Sequence, residues 1–424
     1  MTRRQLILAL IVGVTITLGV PAKAAGISVI VQLTPTASAN TVTTALGGTL
    51  VDSIPEANQY LINFVQVPLL DATSMATLGI QWLETNTGVA LQPMGQFGVL
   101  QVPSSAAADW YKFQPSLQLV RSQQALSLAT GQGVVVADIN SQVDYSHSAL
   151  RGHLTSGYDF VSSKPTNETA LNQSDSSFLD QSDSSFLDQS DSSFLDQSDS
   201  SFLDQNGAGF LSTVPVLGSK PAYSHGTLCV GIIAVMAPDA MIMPLRAFDD
   251  QGSSDTYMLS KAIRFAVNHG SQVINMSFGT LVDSKAIHSA IDYAKSRNVV
   301  LVASAGNNNT SAVQYPAAYA GVTSVSATDV QDVRGSFSNY GWYVGVDAPG
   351  VNITSAYPGG LYSTVSGTSF SSPMVAAAAA LVVSIKMSGV MRSVTSTAVN
   401  IDAKNPNYVG QLGTGRIDVV RSLQ

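Results

Sequence analysis

Gly131-Gln132-Gly133-Val134-Val135-Val136-Ala137-Asp138-Ile139-Asn140-Ser141-Gln142-Val143-Asp144 reads as a turn, a buried strand and a second turn. A short apolar run between turn signals marks a strand covered on both faces, the kind that builds parallel sheets. Met241-Ile-Met-Pro-Leu245, Val273-Ile-Asn-Met276 and Val299-Val-Leu-Val302 share that character. Between and after them the pattern becomes helical over Met258 to Asn268 and Lys285 to Ser296. Strand and helix in alternation predict an α/β fold: a doubly wound, mainly parallel sheet with ligands at the strands' C-terminal ends.

Chemistry-bearing residues stand at the ends of such runs. Gly367-Thr-Ser369-Phe-Ser-Ser-Pro373 brings a serine to a helix start, with Pro373 suited to the first turn of an apolar helix over Met374 to Val383. The positive end of that helix faces Ser369, where an oxyanion is stabilised. Ser224-His225-Gly226-Thr227 opens a second apolar helix and presents His225 at its start. Val299 to Asn307 is a strand ending in a side-chain amide donor, Asn307.

In the order acid position, histidine, amide donor, serine, these segments resemble the subtilisin-like serine protease family. The resemblance spans about Pro115 to Leu423 and includes Val273-Ile-Asn-Met-Ser-Phe-Gly279 and Gly410-Gln-Leu-Gly-Thr-Gly-Arg416. It implies Ser369 as nucleophile, His225 as general base and then acid, and Asn307 as oxyanion donor beside the Ser369 N–H. It further implies that Ser277-Phe278-Gly279 and Ser304-Ala305-Gly306 flank an extended substrate, the small residues of the second segment leaving an open, mostly apolar pocket. The implied reaction is hydrolysis of polypeptides through an acyl-enzyme, which requires no cofactor.

Asn140 departs from the family pattern. Gly-x-Gly-Val-x-Val-Ala precedes it and Val143-Asp144-Tyr145 with His147 and Leu150 follow at the family's spacing, so an asparagine holds the place of the triad aspartate. Gln142 also replaces a usual glycine. An amide is neutral, and turned the wrong way it favours the wrong imidazole tautomer, a change that costs roughly 10⁴-fold in kcat. Several readings stay open: an impaired or inactive, peptide-binding pseudoprotease; Asp138 as substitute acid after a register slip; deamidation of Asn140 beside Ser141; or useful activity with asparagine in place. Asp138 shares a strand face with Asn140, but about 6 to 7 Å between their Cα atoms exceeds what one Asp side chain spans.

Arg3 and Arg4, an apolar run from Leu6 to Val20 and Ala22-Lys-Ala24 predict a secretory signal over 1–24, and so an extracellular or periplasmic protein with no membrane segment after cleavage. Ile27 to Leu33, Ser38 to Leu46 and the extended stretch from Gly47 resemble the inhibitory α+β prodomain of the family, assigned to 25–110, with the catalytic domain over 115–424. Such a unit would partner the catalytic domain by plugging its cleft. Within that domain, 162–220 carries an insertion in which Gln-Ser-Asp-Ser-Ser-Phe-Leu-Asp occurs four times, from Gln173 to Asp204. The copies hold eight aspartates and no cation, which equals the net charge of −8 for the chain, so everything else balances. Repeats this polar favour a solvated insertion, and stacked β turns are the alternative.

Nothing basic or aromatic-basic points to nucleic acid, and a monomer is expected. Cys229 is the only cysteine, so no intramolecular disulfide forms. It follows His225 by one helical turn, an offset shared with thiol-containing branches of the family. Metal ligands are unknown: the family often binds structural calcium, but Asp249, Asp250 and Asp255 form no legible set.

Overall fold

The computed structural model describes residues 26–91, 95–100 (backbone only), 111–166, 222–385 and 388–424. The predicted signal segment, the octapeptide repeats and most of the insertion lie outside them. The chain divides into two compact units, 1–85 and 86–424.

In the first unit, β1 (Ile27–Leu33), α1 (Ala39–Leu46), β2 (Thr49–Ile54), β3 (Gln59–Phe64), α2 (Ala72–Leu78) and β4 (Ile80–Thr85) follow one another. The strands form one antiparallel sheet in the order β2-β3-β1-β4. Its core comes from one face of β1, with Val29, Val31 and Leu33, closed by Val42, Ile62, Phe64 and Ile80. Asp71 caps α2 by accepting the Ser74 N–H at 2.7 Å, which satisfies one of the donors a helix start leaves unpaired. The unit ends at Thr85, well short of residue 110, because the strands that follow join the second unit.

That second unit begins with β5 (Gly88–Ala90) and β6 (Gly95–Leu100). Next come β7 (Val135–Asn140), β8 (Gly157–Asp159), β9 (Lys164–Thr166), α3 (His225–Met236), β10 (Met241–Arg246), β11 (Ser253–Asp255) and α4 (Thr256–Asn268). They are followed by β12 (Val273–Met276), α5 (Lys285–Ser296), β13 (Val300–Ser304), β14 (Val322–Thr328) and β15 (Val344–Pro349). The hairpin β16 (Ile353–Tyr357) and β17 (Leu361–Ser366) then leads into α6 (Thr368–Ile385).

The main sheet has the order β15-β14-β13-β12-β7-β10-β8-β9 and is parallel except for β8 against β9. The doubly wound α/β expectation therefore holds. One face packs Val136, Ile242, Val273, Val302 and Val325 against α3 and α6; the other packs Ala137, Ile139, Ile274, Met276 and Leu301 against α4 and α5. Strand β7 sits where the order reverses, so its C-terminal residue, Asn140, ends at the switch point where ligands bind in such sheets. By pleat alternation Asp138 and Asn140 point, like Val136, towards α3 and α6.

Helix α6 is apolar all round, and every residue from Thr368 to Val383 is buried. It passes a length and hydropathy test for a membrane span, but 89% of that window is inside the protein, as befits a core helix. It also starts six residues before the expected Met374, which moves Pro373 from the first turn to the helix interior.

Asp347 on β15 is fully buried; Ser326 Oγ donates to its Oδ1, while Oδ2 meets no partner among the described residues. Burial, reinforced by the charges of Asp332 and Asp402, pushes its carboxyl up to about 8. A raised acid pKa contributes stability that is full below about pH 4 and is lost as pH rises through 8. Asp347→Asn should therefore raise Tm relative to wild type more at pH 9 than at pH 5. Equal shifts at both pH values in thermal melts would contradict this.

Candidate active site

Asn140 ends β7, buried with 1% of its surface exposed, and its Oδ1 lies 2.6 Å from His225 Nδ1. The same oxygen accepts the Ser141 backbone N–H at 2.9 Å. A backbone N–H can only donate, so its approach fixes which end of the amide is oxygen. The ring nitrogen facing that oxygen must carry the proton, and Nε2 is left basic. The amide thus imposes the tautomer a triad needs. What it lacks is charge: burial, with no carboxylate opposite, lowers the His225 pKa from 6.5 to about 4.

The turn after Asn140 is built for close approach. Ser141 Oγ donates to the Ala222 carbonyl at 2.6 Å and accepts the Gly226 N–H at 3.0 Å, tying β7 to the start of α3. A Cβ on Gly226 would stand 2.5 Å from the Ser141 carbonyl oxygen and 2.6 Å from that of Gln142. Only glycine lets His225 sit this near the strand.

Ser369 lies in the first turn of α6, 1% exposed. The interior Pro373 has no N–H to offer the carbonyl four residues back, which is that of Ser369. Two side chains take up the freed acceptor: Ser277 Oγ donates to it at 2.9 Å and Cys229 Sγ at 3.4 Å. Cys229 is therefore more than core filling, since its thiol anchors the main chain of the candidate nucleophile. The Ser369 hydroxyl donates to the Ser277 carbonyl at 3.3 Å, and His225 Nε2 has no hydrogen-bond partner among the described residues.

Asn307 Oδ1 accepts both the N–H and the hydroxyl of Thr368, at 2.9 and 2.8 Å. This orients the amide so that its NH₂ is the end turned from Thr368, next to the helix start that carries Ser369. Of the two flanking segments, Ser277, Phe278 and Gly279 extend β12, with Phe278 fully buried against Phe248. Ser304, Ala305 and Gly306 extend β13, and the Ala305 carbonyl is held by Asn339 Nδ2 and Tyr343 Oη, both at 3.0 Å. Gln314 packs against both segments, its amide oxygen beside Gly279 and its Cγ methylene beside Gly306.

Sequence reading missed two further strands. β5 pairs antiparallel with β11, and the Leu91 N–H donates to the Gly252 carbonyl at 2.8 Å. Asn86 Oδ1 accepts the Tyr257 N–H, and Val89 is buried in the apolar cluster that holds Phe160, Phe248 and Phe278. In a separate sheet, β6 pairs antiparallel with β17, from Gly95 opposite Ser366 to Leu100 opposite Tyr362, immediately before Gly367 and Ser369. Residues 86–91 and 95–100 thus each pair with a strand of the second unit in the manner of a bound peptide.

Asp138 does not reach His225, so the register slip that would make it a direct substitute acid does not occur; Asn140 makes that contact. Among the described residues no three His, Cys, Asp or Glu side chains gather as a metal site. Asp249 Oδ1 accepts the N–H groups of Gln251 and Ser253, Asp250 pairs with Arg246 at 2.9 Å, and Asp255 caps α4 through the Met258 N–H.

The model of the subtilase family matches residues 131–412, about two thirds of the chain. Thermitase of Thermoactinomyces vulgaris is 29% identical over 319 residues, which cover 72% of this chain and 94% of thermitase. A thermophilic serine proteinase of Bacillus sp. (strain AK1) is 32% identical over 304 residues, 69% of this chain and 62% of the relative. The crystal structure of fervidolysin from Fervidobacterium pennivorans, a keratinolytic enzyme related to subtilisin, superposes with a TM-score of 0.70 at 23% identity. It covers 95% of this chain and 61% of fervidolysin. With a parallel sheet wound on both faces, a histidine and a serine at two helix starts and a family match that contains them both, the chain belongs to the subtilase family.

Proposed function

We propose that this protein is a secreted serine endopeptidase of reduced turnover, made with a signal segment and with an inhibitory stretch that includes 86–100. The observation that carries the reading is the convergence of the Ser141 N–H and the His225 ring on one oxygen of Asn140. With the proton held on Nδ1, His225 Nε2 takes the Ser369 hydroxyl proton as Oγ attacks a peptide carbonyl. The Ser369 N–H and Asn307 Nδ2 receive the oxyanion, and His225 then protonates the leaving amine. Water releases the acyl group by the same steps. No cofactor enters this chemistry, and the substrate is an extended polypeptide read largely through its backbone.

A second reading, a peptide-binding protein without turnover, is favoured by one observation: the Ser369 hydroxyl is directed at the Ser277 carbonyl rather than at Nε2. Hydrolysis of an unstructured fluorogenic peptide, after the N-terminal stretch has been removed, separates the two. Turnover at least 10-fold above the Ser369→Ala floor is expected. Turnover at the floor with peptide binding retained would establish the second reading.

A further inference from the structure

Behind the Asn140–His225 pair lies a buried carboxylate that the chemistry above leaves unused. Asp138 is fully buried on the same face of β7, and its Oδ1 accepts Asn275 Nδ2 at 2.7 Å from the neighbouring strand β12. The Asn275 oxygen accepts Ser372 Oγ at 2.6 Å, and its Nδ2 also lies 2.9 Å from Ser277 Oγ, so Asp138 belongs to a network reaching the helix of Ser369. Besides His225 Nε2, two polar atoms in this region have no partner at hydrogen-bond geometry among the described residues: Asp138 Oδ2, an acceptor, and Asn140 Nδ2, a donor. They are complementary, and both belong to side chains on one strand face two residues apart. Asp138 cannot span the gap to the imidazole, but it needs to reach only as far as the Asn140 amide.

We propose that Asp138 is a positioning residue for catalysis: its Oδ2 takes the Asn140 Nδ2–H, so that a carboxylate one step behind the triad position holds the Asn140 oxygen on His225. The proposal rests on the peptidase reading and explains how an asparagine can stand in the acid position. A donor at Nδ2 that found only apolar surroundings would pull the amide towards the flipped orientation, since an unpaired buried donor is costly. A carboxylate is the acceptor best suited to prevent the flip, and its charge polarises the amide towards the ring.

The groups around Asp138 agree. Burial pushes its carboxyl up to about 7, and the amides of Asn275 and Asn140 pull it down. From α3 it is faced by Cys229, whose thiol burial and the Asp138 charge push up; β10 places Pro244 and β12 places Asn275 opposite it in register. No cation competes with Asn140 for the carboxylate among these neighbours. Ionisation of Asp138 should therefore appear as a rise of kcat with pH through about 7.

The test is a double-mutant cycle with an activity-free readout. Asp138→Val, which suits a buried strand, and the isosteric Asp138→Asn are made in the wild type and in Asn140→Asp. In the wild type each should lower kcat about 10-fold with KM unchanged and abolish the limb near pH 7. In the Asn140→Asp background each should cost less than twofold, because the carboxylate introduced there accepts from His225 directly and a second charge nearby is no help. Equal losses in both backgrounds, or no loss in the wild type, would overturn the proposal. NMR of ¹⁵N-labelled His225 in the Ser369→Ala form should show a protonated Nδ1 that Asp138→Val reduces. An Nδ1–H signal indifferent to Asp138 would overturn the proposal even if the protein has no turnover, whereas lack of turnover with a responsive Nδ1–H would refute only the peptidase reading.

Discussion

Removing residues 86–100 from the edge strands of the second unit raises peptide hydrolysis by about 10³-fold. Segment 86–91 lies on Gly252–Tyr257 through the β5–β11 ladder, the Leu91 N–H and the Asn86 side chain, and β6 covers β17 up to the residues before Ser369. β17 runs straight into Gly367 and Ser369, so the β6 ladder stands beside the nucleophile, next to the segments 277–279 and 304–306 only through that strand's end. A tethered strand that would bind with micromolar affinity as a free peptide, held at an effective concentration of order millimolar, suppresses substrate binding roughly 10³-fold. Cutting the chain between residues 101 and 114 with an added protease, and separating the N-terminal fragment, should release this activity. In the uncut chain, Val89→Asp should release part of it by placing a charge in the apolar cluster. Unchanged rates in both cases would mean that this stretch does not obstruct the site.

The second large effect concerns residue 140. An asparagine that imposes the wrong tautomer costs about 10⁴-fold in kcat. Here the Ser141 N–H holds the oxygen towards the ring, so the remaining defect is electrostatic. The His225 pKa has fallen from 6.5 to about 4, which weakens the base. If the rate felt all of that loss it would fall by roughly 300-fold, and by less if proton transfer is partial. Asn140→Asp should therefore raise kcat by about 10- to 300-fold, well short of 10⁴. The new carboxylate favours the imidazolium and lifts the His225 pKa, so the acid limb of the rate profile moves upward from about pH 4. The gain is then larger at pH 8 than at pH 5. A gain independent of pH would show that charge is not what Asn140 lacks.

Much of this architecture is legible in the sequence because it is local. Val135–Asn140 and Val273–Met276 announce buried strands by composition alone, and Lys285–Ser296 is the helix its periodicity predicts. Ser369 and His225 are legible because each stands within two residues of a glycine at a helix start. The missed features depend on partners distant in sequence. Nothing near Pro373 tells that the Ser369 carbonyl it frees will be taken by Ser277 and Cys229, so α6 starts earlier than its composition predicts. Strands β5 and β11 are three residues each, with no hydrophobic alternation, and exist because they pair with each other. The border of the first unit falls earlier along the chain than expected for the same reason. The orientation of Asn140, on which the chemistry turns, is decided by a backbone N–H and the approach of α3, neither of which composition reveals.

The most direct measurement is the rate at which a serine-reactive phosphonate labels Ser369 in protein freed of its N-terminal stretch, with residue 140 verified as asparagine by mass spectrometry. An oxygen-facing Asn140 predicts stoichiometric labelling of the wild type at Ser369, about 10- to 300-fold slower than in Asn140→Asp and absent in Ser369→Ala. Rapid labelling of Asn140→Asp with none of the wild type would contradict it, and would show that the amide silences the nucleophile.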